Sequence, residues 1–254
     1  ASANDSTATT HDETEGGKGG RIRILGERVA LLENTTLDAS GETGGGEILV
    51  GGDYQGASPD VSNARKTLVG PGTSLTADAI SNGDGGEVII WADEWTQFQG
   101  NISARGRGRG GDGGFVEVSG KASLNFSGFV DLRAPAGTTG TLLLDPKNIS
   151  VATGGSDVIA DNDEFAENPA SDVTFAPADL VNALDGANVT LQANNDITFQ
   201  DNVDASGGGA GNLTLQAGRS ILIGDGGTVA LTLNGTFTAT ANDPNAQEAN
   251  RDDN

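Results

Sequence analysis

The chain has 254 residues, of which 40 are glycine and none is cysteine or methionine, and aromatic residues make up only 4%. Its 36 acidic and 14 basic residues give a net charge of −22, which repels nucleic-acid phosphate and anionic lipid and argues against a nucleic-acid partner. The lack of cysteine excludes disulfides, thiolate metal sites and a cysteine nucleophile.

Polar residues dominate both ends of the sequence. Residues 1–20 and 242–254 are rich in Asn, Asp, Glu, Ser and Thr and predict polar tails on either side of a domain at 21–241. No stretch reaches the roughly 20 apolar residues of a membrane helix, and residues 1–20 lack the apolar core of a signal peptide. We therefore expect a mature protein or a piece of a longer one.

Between the tails, one pattern returns: a β-rich run, a small residue, a glycine-rich turn and a second β-rich run. The apolar residues that align after the turns are Ile48, Val88, Val116, Leu142 and Leu213. Their steps of 40, 28, 26 and 71 residues fit coils of a β-solenoid, with a loop inserted at 53–65 and two or three coils within the last step.

These repeats predict an all-β protein, a right-handed parallel β-helix in which each coil pairs with the next. About nine coils at about 4.8 Å each would form a rod of about 45 Å. Five small residues are expected to point inward at the bends: Ala39, Ala79, Ala104, Ala134 and Ala205. The open ends of such a rod are strand edges, which favour self-association end to end.

A segment at 156–185 differs in kind and predicts an insertion with one short helix. Pro177 suits a helix start, and Gly186 supplies a stop. Leu180 and Leu184 share one face of this helix, which we expect to cap or flank the solenoid.

The glycine-rich blocks resemble a known family of secreted proteins. The blocks that carry the resemblance are Gly45–Tyr54, Asn82–Asp93, Gly113–Gly120 and Gly140–Ile149. They are similar to filamentous-haemagglutinin-type exoproteins of two-partner secretion, especially those of cyanobacteria, over roughly Gly20 to Ala241. The family's N-terminal secretion motif is not visible, so the chain resembles the distal β-helix portion.

The resemblance implies a function as well as a fold. It implies export across the outer membrane through a partner barrel, an extracellular location on the cell surface, and roles in adhesion, surface coating or aggregation. The protein is accordingly expected to be a structural or adhesive surface module that self-associates end to end into filaments. Two alternatives stay open: an outer-face carbohydrate-active enzyme, and a passive stalk of a larger adhesin.

No catalytic residue is predicted. The only histidine, His11, lies in the polar tail, so a serine or cysteine triad cannot be assembled around it. Asp93, Glu94, Asp131 and Arg133 could line an outer groove of the kind that β-helical polysaccharide-cleaving enzymes use. Solvated charge on the outer face is the favoured interpretation, and we expect no enzyme.

Calcium is the one cofactor that the sequence suggests. Asp161, Asp163 and Glu164 form the densest acidic cluster and could supply carboxylate oxygens to a calcium ion. Their spacing matches no EF-hand, and an acidic loop without metal is the competing interpretation.

Aromatic residues in the first half suggest a ligand site. Tyr54, Trp91 and Trp95 could offer a sugar-stacking platform for a glycan, although packing within the fold is the simpler alternative. The one basic run, Arg105–Gly111, superficially resembles an RNA-binding segment. In so acidic a chain we expect it to neutralise carboxylates on neighbouring coils or on another molecule.

Overall fold

The structure, a computed structural model, describes residues 6–9, 17–32, 34–144, 149–153, 173–193, 195–208, 211–224 and 227–244. It is a parallel β-solenoid of about 7 turns, built mostly from short strands with a single short helix among the described residues. The all-β fold class predicted from the sequence is therefore confirmed.

In chain order the strands are β1 (Ser6–Thr9), β2 (Arg21–Ile24), β3 (Arg28–Leu31), β4 (Thr35–Asp38), β5 (Glu47–Val50), β6 (Lys66–Val69), β7 (Ser74–Thr76), β8 (Glu87–Ala92), β9 (Trp95–Phe98), β10 (Asn101–Ser103), β11 (Phe115–Gly120), β12 (Ser123–Phe126), β13 (Phe129–Asp131), β14 (Thr141–Leu144), β15 (Ile149–Val151), β16 (Val173–Phe175), β17 (Asn188–Ala193), β18 (Asp196–Phe199), β19 (Val203–Asp204), β20 (Leu213–Ala217), β21 (Ser220–Ile223), β22 (Leu231–Thr232) and β23 (Phe237–Ala241). The helix α1 spans Pro177–Gly186, and a 3-10 turn spans Tyr54–Gly56.

The strands stack on three faces of the coil. The first face is one sheet of eight strands, β2-β5-β8-β11-β14-β17-β20-β23. The second face consists of β3-β6-β9-β12 followed by β16-β15-β18-β21, and the third of β1-β4-β7-β10-β13 followed by β19-β22. The sequence pattern predicted only two runs per coil, which correspond to the third and first faces.

The five aligned apolar residues lie in one inward column of the first face, as predicted. The complete column is Ile22, Ile48, Val88, Val116, Leu142, Val189, Leu213 and Phe237. The long step before Leu213 contains two coils, because Val189 lies between. Eight strands make seven steps, or about 34 Å at about 4.8 Å per coil, so the estimate of nine coils was too high.

Paired glycines form the corner between the third and first faces. A Cβ on Gly86 would overlap the carbonyl oxygen of Gly46 in the preceding coil, and one on Gly114 would overlap that of Gly86. The corner packs so tightly because the Gly86 amide donates to Ala77 O at 2.7 Å and Glu87 N donates to Gly46 O at 2.8 Å. Glycine is therefore required here for close approach of backbones.

Small residues fill the inside of the same corner. The five alanines that were predicted to point inward, at 39, 79, 104, 134 and 205, are all buried, with exposures between 0 and 9%. Ala77 and Leu132 occupy the same corner position as Ala39 and Ala104, since each accepts a hydrogen bond from a corner glycine amide. Most of the column uses alanine because the backbone bends sharply there.

The insertion before β17 changes two faces at one level. β16 lies between β12 and β15 on the second face, and α1 occupies the third-face position between β13 and β19. The Leu132 amide donates to the last helical carbonyl, Gly186 O, at 2.9 Å. Leu180 and Leu184 are buried in the core. The predicted helix is confirmed, but it lies within the stack and does not cap an end.

β1 lies inside the segment that was predicted as an N-terminal tail. It pairs in parallel with β4, with Ser6 opposite Thr35, and so belongs to the third face. Among the described residues no helix is long and apolar enough to cross a membrane.

Candidate binding groove and rod ends

An open groove of about 710 Å³ follows the glycine corner on the outside of the solenoid. Its floor is the backbone of the paired glycines, which has no side chains to obstruct a ligand. The side chains around this floor are acidic, hydroxyl or aromatic and are Glu47, Glu87, Asp112, Phe115, Thr138, Thr139 and Thr141. We call this surface the corner groove.

Two carboxylates stack on one side of the corner groove. Glu47 and Glu87 are register partners on adjacent coils. Glu47 forms ion pairs with Arg21 and Arg23 of the coil before it. Burial raises the pKa of Glu87, and repulsion from Glu47 and Asp53 raises it further, against a smaller lowering effect of Arg21. This side of the groove therefore favours a proton or a cation at Glu87.

The other side is tied together from coil to coil by backbone amides. Asp84 Oδ1 accepts from the Asp112 amide at 2.8 Å, and Asp112 Oδ1 accepts from the Thr138 amide at 2.7 Å. These turns repeat because each coil presents a side-chain oxygen to the next coil's loop. These hydrogen bonds hold the Asp84 and Asp112 side chains in place and so fix the polar rim of the groove.

Residues 53–65 form a loop that lies across the outer side of the first face. It covers an outer apolar cluster of Leu49, Ile89 and Trp91, which are 1%, 0% and 4% exposed, and against which Phe115 packs. The loop is held by Asn63 Nδ2, which donates to Gly56 O at 2.9 Å and to Asp93 Oδ1 at 3.1 Å.

The same loop buries a carboxylate. Glu117 is 0% exposed, and its Oε2 accepts from the Gln55 amide at 3.0 Å. Gln55 reaches further along the face, since its Nε2 donates to Gln192 Oε1 at 3.3 Å. Gln55 has φ 51°, a left-handed conformation that is unusual for a residue with a side chain. These contacts show that the loop has a defined conformation and is packed as part of the fold.

The three residues that were predicted to bind a glycan do not lie together on one surface. Tyr54 is 45% exposed at the edge of the loop, with its ring edge-on to Phe115 at 5.8 Å between centroids. Trp91 lies beneath the loop and donates from Nε1 to Asp93 Oδ1 at 3.1 Å. Trp95 begins β9 on the second face. Tyr54 borders the corner groove through Phe115, whereas Trp91 could contact a sugar only if the loop moved.

The four residues considered for carbohydrate chemistry occupy two different corners of the coil. Asp93 and Glu94 follow β8, where the first face turns into the second, and Glu94 pairs with Arg65 at 2.6 Å. Asp131 ends β13 on the third face, where it pairs with Arg133 at 2.7 Å. The structure does not bring these two pairs into one cleft.

Arg105 is partnered by carboxylates of adjacent coils, as the sequence suggested. Its Nη2 lies 2.8 Å from Asp78 Oδ2, and its Nη1 lies 3.9 Å from Asp131 Oδ2. Asp78 Oδ1 also accepts from Ser103 Oγ at 2.6 Å. Burial alone would raise the pKa of Asp131, but hydrogen bonds from Arg133 and the charges of Arg133 and Arg105 lower it. Alternating charges thus join three coils along the third face.

The proposed calcium ligands Asp161, Asp163 and Glu164 lie outside the described residues, as does His11. In the part of the chain that the structure describes, no group of three or more Asp, Glu or His side chains is placed to hold a metal ion.

The two ends of the rod differ. We call residues 17–32, the part of the first coil that follows β1, the head and residues 189–244, the last two coils, the tail. In the head, the inward residues Ile22, Val29 and Leu31 are 4 to 6% exposed. In the outermost strands of the tail, inward Phe237 and Ile223 are 41% and 45% exposed. The tail therefore presents an open cross-section of the core.

Several residues of these surfaces were missed by sequence reasoning. Glu87, Phe115 and Asp112 lie within the repeated blocks, but nothing in one copy of a repeat reveals which rim positions share a groove. The signal that could have found Glu47 beside Glu87 is the alignment of repeats itself, since both directly follow a glycine pair.

Comparison with known proteins identifies no relative: no model of a protein family and no curated protein matches the chain. The geometry therefore has to be interpreted from its own residues. It offers a short rod, a polar outer groove with an aromatic edge, and two strand-edge ends.

Proposed function

We propose that the protein is a structural rod that serves as a stalk or adhesive module on the outside of a cell. The observation that carries this proposal is the first face, one parallel sheet that runs without a break through the eight strands of the described chain. Such a stack transmits position along its axis because each coil is fixed to the next by backbone hydrogen bonds. A rod of this kind suits holding a partner at a distance.

The resemblance of the glycine-rich blocks to filamentous-haemagglutinin-type exoproteins supports the same role. Under this proposal, a partner barrel exports the chain across the outer membrane, and the rod is displayed at the cell surface. The strongly acidic composition, with a net charge of −22, suits a solvated surface rod that does not adhere to anionic lipid.

Surface labelling tests the location. Antibodies raised against the purified chain are expected to label intact cells of the source organism, and mild external protease is expected to remove the signal. Labelling only after the cells are permeabilised would overturn the proposal of a surface stalk.

Coil deletion tests the structural role. Deleting residues 189–212 removes 24 residues, one whole coil, and joins Asn188 to Leu213, which is the register partner of the deleted Val189. We expect a folded rod that is shorter by about 4.8 Å in small-angle scattering. Deleting residues 189–200, half a coil, is the control and is expected to prevent folding of the tail. Equal effects of both deletions would contradict a modular rod.

Glycan binding is a second candidate function, favoured by Tyr54 and Phe115 beside the corner groove. Aromatic rings stack on the apolar faces of sugars, and carboxylate and hydroxyl groups bind sugar hydroxyls. Because the groove contains Glu47 and Glu87, we propose a neutral or cationic glycan. Tyr54→Ala should then weaken binding, and Phe129→Ala, which changes a 42% exposed ring on the third face, should not.

Calcium remains part of the proposal as a ligand of acidic loops. A thermal denaturation series with calcium and with chelator is the direct measurement. A rise in Tm that is lost in Asp161→Asn would support the predicted site, and an unchanged Tm would remove calcium from the proposal.

A further inference from the structure

We propose that the tail of one molecule binds the head of a second copy, so that the solenoid continues from chain to chain. The inference rests on the proposed role as a structural rod and names the partner of its ends. It is carried by three properties of the ends: inward apolar residues exposed in the tail, strand edges that no described strand covers, and a negative charge on the tail that disfavours tail-to-tail contact.

Exposed apolar side chains concentrate at the two ends. Eight large hydrophobic side chains of the described residues are exposed, and five of them lie in the head or the tail: Leu25, Leu32, Leu222, Ile223 and Phe237. Tail positions one coil further in, Phe199 and Leu213, are 0% exposed. Adding one more coil would therefore bury Ile223 and Phe237, the two of these five side chains that point inward.

The first-face edges of the two ends, which no described strand covers, have the polarity of a continuing sheet. In the head, carbonyls of Gly20 and Ile24 accept from β5, so the alternate residues Arg21 and Arg23 direct their amides to the free edge. In the tail, Thr236 O accepts from the Leu213 amide of β20, which leaves the alternate residue Phe237 directed outward. The edges face opposite ways along the axis, so a second copy can pair in parallel by translation.

Registers on two faces agree with such a joint. Extending the first-face column places Ile22 of the second copy over Phe237. On the second face, β3 of the second copy would follow β21 and place Leu31 over Ile223. Tail-to-tail pairing would instead require antiparallel strands, a pairing found nowhere among the named strands of the described structure.

Charge orients the two copies. The first coil, residues 6–32, has four basic and four acidic residues and is neutral, whereas the tail has one basic and five acidic residues, a net charge of −4. Two tails therefore repel each other, and a neutral first coil does not repel a tail.

A matched pair of tail variants tests the interface. Ile223 points inward and Leu222 points outward on β21, yet the two are 45% and 44% exposed. In analytical ultracentrifugation of the full chain, we expect concentration-dependent oligomers that Ile223→Glu weakens at least about tenfold and Leu222→Glu leaves nearly unchanged. Equal effects of the two variants would overturn the continuing-solenoid joint.

Mixing two blocked variants tests the direction of the joint. Ile223→Glu has a blocked tail, and the double variant Leu25→Glu, Leu32→Glu has a blocked head at two exposed positions. Each alone should be monomeric, and a mixture should form heterodimers and nothing longer. A head-blocked variant that dimerises by itself would show tail-to-tail association and refute the proposal.

Salt and electron microscopy complete the test. Raising salt from 0.1 to 1 M shortens the screening length from about 10 to about 3 Å, which screens the repulsion between tails, so a joint made by apolar burial should persist. Regular filaments at high protein concentration and low salt are expected in micrographs. Single short rods under all conditions would refute the joint while leaving the structural role intact, because rod shape and surface labelling report on that role separately.

Discussion

Glu47 and Glu87 are stacked on adjacent coils of the first face. Of these two glutamates, only Glu47 forms ion pairs with arginine among the described residues. Stacked repeats place equivalent positions directly above one another, so a glutamate that recurs in the repeat lies beside another glutamate and is repelled by it. The effect is seen at Glu87, whose pKa is raised chiefly by burial and further by this repulsion.

Glu87→Gln is expected to stabilise the protein at neutral pH. A carboxylate whose folded-state pKa is raised causes a loss of stability as pH rises through that pKa, because the folded state then holds the charge less favourably than the unfolded state. The variant should remove this loss and show no advantage below the ordinary glutamate pKa. Urea unfolding at several pH values measures the difference, with exposed Asp60→Asn as control.

Acid should destabilise the protein through Asp131 and Asp196. Both have a lowered pKa, Asp131 through Arg133 in spite of burial, and Asp196 through hydrogen bonding to Arg219. A lowered pKa contributes stability above the unfolded value that is lost as pH falls through the folded one. Stability should therefore fall below about pH 4. An Asp196→Asn variant that lost stability equally at pH 3 and pH 7 would contradict this origin.

Gly86→Ala should destabilise the protein by about 3 kcal/mol, at the upper end of overpacking costs. The added methyl would overlap the backbone carbonyl of Gly46, which flexible side chains cannot relieve. Gly207→Ala is the matched control, since nothing lies within 4 Å of its added Cβ. Chemical denaturation of both variants decides whether the corner is as tight as its hydrogen bonds imply.

Asp78→Asn should cost about 2 kcal/mol through weaker hydrogen bonds to a charged group. Asp78 is 7% exposed and accepts from four donors of the next coil, which are Ser103 Oγ and the backbone N, Nε and Nη2 of Arg105. Glu27→Gln removes an exposed partner of Arg65 and should have little effect. Comparable losses of stability in the two variants would show that the contacts of Asp78 on the third face contribute no more than an exposed ion pair.

Trp91→Ala should loosen the loop at 53–65 as well as lower stability, by about 3 kcal/mol for a buried aromatic truncation. Limited proteolysis within the loop should accelerate, because the ring packs against Gly52 and Gly56 and donates to Asp93. Trp95→Ala, on the second face, serves as control. An unchanged cleavage rate in Trp91→Ala would mean that the loop is held by Gln55 and Asn63 alone.

Most of the first face could be predicted from sequence because its signal is local. A glycine pair followed by an alternating apolar run recurs, and Ile48, Val88 and Val116 align without further knowledge. The second face could not be predicted, because buried threonines interrupt its apolar pattern. Thr67 and Thr96 are 0% exposed, and each hydroxyl donates at 2.7 Å to a corner carbonyl, that of Trp91 or Ser119.

The candidate site was harder to predict because it depends on contacts between distant residues. Trp91 and Glu117 lie at outward positions of their strands, where sequence reasoning expects exposure. Both are buried because the loop inserted at 53–65 folds back over them, an effect that no local periodicity contains. Tyr54 and Phe115 meet for the same reason.

The helix α1 has a mechanical consequence for the rod. At its level the third face changes from β13 to a helix and the second face changes neighbours at β16, so only the first face continues with strand-to-strand pairing. A rod with one continuous side and two interrupted sides is least stiff at that level and bends there before it bends elsewhere. We expect the rod to bend first at the level of α1 when it is pulled or placed in flow, with the coils on either side moving as two rigid arms.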